Sequence, residues 1–200
     1  MSMRLPAEQR RTQLLSVAVQ VFGERGFHST SMDEVAEAAG VTKPVLYQHF
    51  PSKRALYREL LDDVDAQLVS ELVVATDAAP SGRERVEAGF AAYFRFVTEN
   101  RAAFRLLFGA SVRNDPEFSA VAERTIDRIA ALVADLIQIE APAGHRRVLA
   151  HAIVGMAEAT SRRLTNDDAE DDPDRLAAWL AEMAWFGLRG VRAEEPAEHR

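Results

Sequence analysis

The sequence predicts an all-α protein of about nine helices. Three observations carry this reading. Apolar residues recur at three-to-four spacing along nearly the whole chain, which is the period of one helix face. No segment shows the strict alternation of a half-buried strand. Glycine, proline and Ser/Thr capping signals cut the pattern at helix-length intervals.

The chain has 200 residues, enough for one or two domains with a real core. Cysteine is absent, which excludes a disulfide framework and a thiolate metal site. Arg10 and Arg11 before an apolar stretch imitate a signal peptide, but Ser16 and Gln20 interrupt it and no cleavage site follows. No apolar run approaches membrane-spanning length, so a soluble, cytoplasmic protein is expected. The formal charge of −7 hides an asymmetry. Residues 1–60 carry eight Lys/Arg against six Asp/Glu, and the remainder 16 against 25. A mildly basic head on an acidic body suits a protein that meets phosphate with the head alone.

Helix one is expected over 6–25, with Pro6 in its first turn, a stripe through Leu14, Ala18 and Phe22, and Gly26 as its stop. Phe27 folds back onto it. Ser31 and Glu34 have the spacing of a capping box that starts helix two, 32–39, and Gly40 ends it. Thr42 is expected to cap helix three, with Pro44 in its first turn and Pro51 past its end. Ser52 caps a long helix four, striped by Leu56, Leu60, Leu61, Val64, Leu68 and Leu72. After a break at 77–82, helices are expected over 83–99, 101–108, 116–137, 145–164 and 173–191. A polar stretch, 166–174, holds six acidic residues; a solvated charge run is the plain reading, and attraction of a cation the other. Residues 193–200 read as a disordered tail.

Residues 29–53 carry the most specific signal. Two short helices joined by a tight glycine turn are a helix-turn-helix, whose second helix lies in the major groove and contacts bases through its N-terminal residues. Leu46 and Phe50, four apart, face the core; Lys43 and Tyr47 share the opposite face. Thr42 and Lys43 can meet base edges or phosphate, the Tyr47 hydroxyl lies one turn on, and Lys53 opens helix four, where charge and helix dipole both favour phosphate. Thr30 and Ser31 stand at the start of helix two in the same way. Each has a plainer reading: Ser31 as a cap alone, Tyr47 as half-buried packing, His49 as a ring stacked inside the small domain.

The first 60 or so residues resemble the TetR family of bacterial transcriptional regulators. The matching stretches are Phe22-Gly23-Glu24-Arg25-Gly26-Phe27, Thr30-Ser31, Val35-Ala36-Glu37-Ala38-Ala39-Gly40-Val41, Leu46-Tyr47, His49-Phe50 and Ser52-Lys53. The resemblance implies a three-helix DNA-binding domain, 1–55, joined to a helical ligand-binding and dimerisation bundle, 56–192. It implies DNA contacts at the positions of Thr42, Lys43, Tyr47, His49 and Lys53. Two departures stand out. Pro44 replaces a common glycine or alanine and can touch a thymine methyl. Met32 offers no hydrogen bond where some members have a polar side chain.

One such unit reads few base pairs, so a homodimer on a pseudo-palindromic operator of double-stranded DNA is expected. Trp179, Trp185 and Phe186 exceed what one inward stripe needs, and aromatic residues favour interface centres. The resemblance implies a four-helix interface from the last two helices, here Leu149, Ile153, Leu176, Trp179, Leu180, Met183 and Phe186. It also implies a cavity in the aromatic stretch 90–108, at Phe90, Tyr93, Phe94, Val97, Phe104 and Phe108, with His151 and Met156 nearby. Physics alone reads that stripe as core. A ligand there would be small and apolar or aromatic. His151 and Tyr93 offer polar handles, and Arg105 could pair an anion.

No phosphate loop, nucleophile elbow or paired histidines four apart occur. No enzyme, cofactor or metal is expected. The function expected is a ligand-responsive transcriptional regulator, a repressor released by its effector. The alternative is a DNA-bound dimer that answers a protein partner or no signal.

Overall fold

A computed structural model describes residues 6–165 and 171–190. Within them lie ten helices: α1 (Ala7–Arg25), α2 (Met32–Ala38), α3 (Lys43–His49), α4 (Lys53–Asp77), α5 (Gly82–Glu99), α6 (Arg101–Phe108), α7 (Ala110–Arg113), α8 (Pro116–Leu136), α9 (Ala143–Leu164) and α10 (Pro173–Gly190). The all-α expectation holds. The tenth helix is α7, a single turn whose four residues are too few to show a period. Residues 166–170 of the expected acidic loop, 166–174, and the tail at 193–200 lie outside the described residues; Pro173 and Asp174 already belong to α10.

Two compact units form, and neither is one continuous segment. The first joins residues up to 67 with 100–123; the second joins 68–99 with the residues from 124 onward. Helices α4 and α8 each contribute residues to both.

In the first unit, Leu14, Ala18 and Phe22 of α1, Val35 and Ala36 of α2, and Leu46 and Phe50 of the α3 end are buried. Burial of this order contributes about 1.5–3 kcal/mol per large side chain. The turns follow the glycine logic: Gly26 and Gly40 have positive φ, 78° and 64°. Phe22, Phe27, Tyr57 and Phe118 form an aromatic cluster with three edge-to-face pairs at 5.0–5.2 Å, a tilted Tyr57–Phe118 pair at 4.7 Å and Phe27 stacked on Phe22 at 6.4 Å. Burial raises the Tyr57 phenol well above its ordinary range. Helix α6 packs on α1. The approach is close at Gly23, where an added Cβ would lie 2.7 Å from Ala102 Cα, Cβ and O.

In the second unit α5 packs against α10 and α9, and α9 against α10. Tyr93, Phe94, Phe96 and Val97 of α5 are buried. The Tyr93 hydroxyl lies 3.5 Å from that of Ser161 on α9, and burial raises its pKa strongly.

Candidate functional site

The N-terminal site is built from α2, its turn and α3. Ser31 accepts from the Glu34 amide at 3.2 Å, and the Ser31 amide donates to Glu34 Oε2 at 2.7 Å. The capping box is complete. The backbone donor of Ser31, then its hydroxyl, hold the Glu34 carboxyl below its usual pKa. Phe50 and Leu46 are buried, which leaves Thr42, Lys43, Pro44 and Tyr47 exposed along the other face of α3. Thr42 takes the N-cap position but makes no side-chain capping bond, so its hydroxyl has no capping duty; proline in the first turn already lacks an N–H to cap. Lys43 Nζ lies 2.8 Å from Asp33 Oδ1, and that hydrogen bond raises its pKa.

Three other expected DNA contacts are placed inward. Thr30 is buried and its hydroxyl donates to the Gly26 carbonyl at 2.9 Å. Lys53 Nζ donates to the carbonyls of Phe27 and Thr30, both at 2.8 Å, and sits 4.4 Å from the Phe27 ring centroid. Its ammonium staples the α1–α2 turn to the start of α4. His49 is half-buried, its ring 6.3 Å from that of Phe50. Its carbonyl accepts from Arg11 at 2.8 Å, while Arg11 pairs bidentately with Glu59. Arg11 thus fixes the C-terminal end of α3 to α1 and α4. Arg54, also on α4, pairs with Asp115 and Glu117 and lies over the Phe118 ring. Burial pushes the Asp115 carboxyl up, but the hydrogen bonds from Arg54 and from two backbone amides outweigh it and hold the pKa low. None of the Arg11, Arg54 or Lys53 ties was legible in the sequence, because each partner is 23 or more residues away.

The second site is a cavity of about 350 Å³ within the second unit. Its walls come from the C-terminal end of α4 (Leu72, Thr76), one face of α5 (Val86, Phe90, Tyr93), α8 (Leu132, Val133), α9 (Ile153, Val154) and α10 (Trp185, Leu188). Phe90 and Tyr93 stand where the sequence reading put them. Phe94 and Val97 are buried on α5 but are not in the wall. Phe104 and Phe108 belong to α6 and the first unit, their rings 5.0 Å apart. Arg105, also on α6, donates to the Gly23 carbonyl at 3.1 Å. Met156 is half-buried outside the wall, and His151 faces Asp127 Oδ1 at 3.0 Å on the outer side of α8 and α9. The sequence reading missed Arg85, Arg189 and the α8 wall, whose stripe showed a buried face but not an empty space beside it.

Of the residues expected at a dimer interface, Leu176 and Leu180 are buried within the protomer, and Leu149 and Ile153 are half-buried. Trp179, Met183 and Phe186 of α10 are 53–56% exposed, and Val148 of α9 is 68% exposed.

Among the described residues, no cluster of His, Asp and Glu could hold a metal, and no helix is long and apolar enough to cross a membrane. A capped, buried helix-turn-helix that presents one polar helix face defines a DNA-binding transcriptional regulator. Comparison with known proteins narrows the class. The family model described as bacterial regulatory proteins, tetR family, matches residues 14–60, and that described as tetracyclin repressor-like, C-terminal domain, matches residues 82–187. The chain belongs to the TetR family of bacterial transcriptional regulators. It is 35% identical over 190 residues to the HTH-type transcriptional activator FasR of Mycolicibacterium smegmatis, covering 94% of this chain and 87% of the relative. It is 30% identical over 117 residues to the HTH-type transcriptional repressor KstR2 of Mycobacterium tuberculosis, 58% of each chain. A solved TetR-like regulator from Rhodococcus sp. RHA1 superposes with a TM-score of 0.78 at 32% identity, covering 94% of this chain and all of that one. Both activators and repressors are thus among its relatives.

Proposed function

We propose that the protein is a homodimeric repressor that binds a pseudo-palindromic operator and is released by a small apolar or aromatic effector. Residues 1–55 would read DNA, and residues 56–192 would dimerise and hold the effector. Thr42, Lys43, Pro44 and Tyr47 face the groove, with Ser31 at the helix-two entry; Thr30, His49 and Lys53 support that face from behind. The observation that carries the reading is the cavity and the helices that line it. Helix α4 has Leu72 and Thr76 in the cavity wall and Lys53 and Arg54 at its other end. Helix α8 has Leu132 and Val133 in the wall and Glu117, the partner of Arg54, in its first turn. A ligand that favours one placement of these helices shifts the spacing of the recognition helices. A differential affinity of about 1–3 kcal/mol changes operator affinity roughly 5–150-fold.

The exposed Trp179, Met183, Phe186 and Val148 supply the apolar face for a second copy. Activation is the second reading, favoured by the activator among the relatives. The test is selection of genomic fragments by the purified protein, followed by transcription from the selected promoter with and without it. A palindrome and lower transcription are expected. No enriched palindrome sinks the specific-regulator reading, and higher transcription selects the activator.

A further inference from the structure

We propose that the cavity takes a single-tailed anionic amphiphile, its head held by Arg85 and Arg189 and its tail laid along α5. The proposal rests on the reading of this cavity as the effector site. Three observations carry it. First, the wall follows one face of α5 through Gly82, Arg85, Val86, Gly89, Phe90 and Tyr93. Eleven residues of helix rise span about 16 Å, so this wall offers a run long enough for an extended chain. Second, polarity changes along that line. Arg85 is half-buried and Arg189 exposed, whereas Phe90 and Tyr93 are each 5% exposed. The charged end is gathered around Trp185: an added Cβ at Gly82 would lie 3.6 Å from its ring and 4.0 Å from Gln138 Oε1, and the Arg189 guanidinium lies 5.8 Å from the ring centroid. At the far end the two hydroxyls have partners in the protein, Thr76 donating to the carbonyls of Leu72 and Val73 and Tyr93 lying against Ser161.

Third, the charge is of one sign. Among the described residues, no aspartate or glutamate lines the cavity. Among the described residues, neither Arg85 nor Arg189 has a carboxylate partner; Arg85 Nε donates only to the Ala79 carbonyl, at 3.3 Å. A cationic ligand would meet two like charges and no counter-ion. A neutral ligand would leave the guanidiniums unused. An anionic head makes charge-assisted hydrogen bonds with both, while the tail displaces water from Phe90, Leu132, Val133 and Ile153.

Carboxylate and phosphate heads share this chemistry, so dodecanoate, dodecyl phosphate and dodecanol are the probes. Each is titrated into the full-length protein by calorimetry below its micelle concentration. At least one anion is expected to bind about tenfold or more tighter than the alcohol, the worth of one hydrogen bond to a charged group. The stronger anion identifies the head. Arg85→Gln should bring that anion to the alcohol's affinity and leave the alcohol unchanged, and Arg85→Lys should restore part of the difference. Equal binding of all three overturns the headgroup assignment while the cavity still binds an apolar tail. Loss of alcohol binding in Arg85→Gln assigns Arg85 to cavity shape instead. No binding by any probe overturns the amphiphile, and the effector reading is then judged separately by operator release against neutral aromatic compounds.

Discussion

Nζ of Lys43 lies 2.8 Å from Oδ1 of Asp33, so the lysine that opens the recognition helix is held by the helix before it. Both side chains are more than half exposed, and solvent and salt screen such a pair so that it contributes little. DNA can therefore compete for the ammonium. Asp33→Asn frees Lys43 and removes a negative charge from beside the proposed DNA face. Binding to any duplex should tighten about 3- to 10-fold at low salt, and the gain should shrink as salt rises. Fluorescence anisotropy at two salt concentrations measures it; an unchanged affinity at low salt would place Asp33 away from the phosphates.

Lys53 donates to two carbonyls rather than to solvent. Lys53→Met should cost about 1.5–3 kcal/mol in urea denaturation, the worth of a hydrogen bond to a charged group. Operator and random DNA should weaken together, with the salt slope unchanged. A slope lowered by about one per half-site would instead assign the ammonium to a phosphate.

Gly23 has no room for a methyl group, because Ala102 stands 2.7 Å from where it would go. Gly23→Ala should destabilise by about 1–3 kcal/mol through overpacking. Gly144→Ala is the control, since among the described residues no atom beyond its own helix backbone and chain neighbours lies within 4 Å of where its Cβ would go. A thermal melt in which both variants match the parent would show that α1 and α6 part freely.

Phe186 is 56% exposed on α10 beside exposed Met183 and Trp179. Phe186→Glu places a charge at the centre of the proposed interface and should yield a monomer at micromolar concentration, with operator binding lost. Sedimentation equilibrium reads the first effect and anisotropy the second. A dimer that persists in the Phe186→Glu variant would move the interface elsewhere.

His151 has an oxygen acceptor on each ring nitrogen: the Arg147 carbonyl at 2.9 Å and Asp127 at 3.0 Å. A neutral ring can donate to only one, so the carbonyl first, and Asp127 with it, raise the pKa above 6.5. Asp135, Arg146 and Arg147 line the same groove. The stabilisation is therefore complete below about pH 6.5, the unfolded value, and is lost as pH rises through the higher folded value. The melting temperature should fall slightly more between pH 6 and 8 in the parent than in His151→Gln. The site is exposed, so the difference is small, and identical slopes would remove His151 from the account.

What the sequence made legible was local. The Ser31–Glu34 box, the Leu46–Phe50 inner face and the Lys43–Tyr47 outer face follow from spacings of three and four, and the structure has all of them. Partners distant in sequence were not legible. A lysine at a helix start reads as a phosphate ligand until Phe27 and Thr30 are seen to face it. The aromatic run from Phe90 to Phe108 reads as one surface, yet its halves go to different units, because a stripe tells that a face is buried and not against what. Arg85 was invisible for the same reason: one arginine on an amphipathic helix looks solvated until the wall beside it is known.

The discontinuous first unit bears on how hybrid regulators are made. Phe27 and Tyr57 pack on Phe118, Phe22 packs on Phe27 and Tyr57, and Gly23 lies against Ala102, all within that unit. A graft that transplants only residues 1–67 would strip the aromatic cluster of its cover and present it to water. A transplantable reading head for this scaffold is a two-piece cassette, residues 1–67 together with 100–123, and chimeras spliced at a single junction should aggregate where the two-piece exchange stays folded.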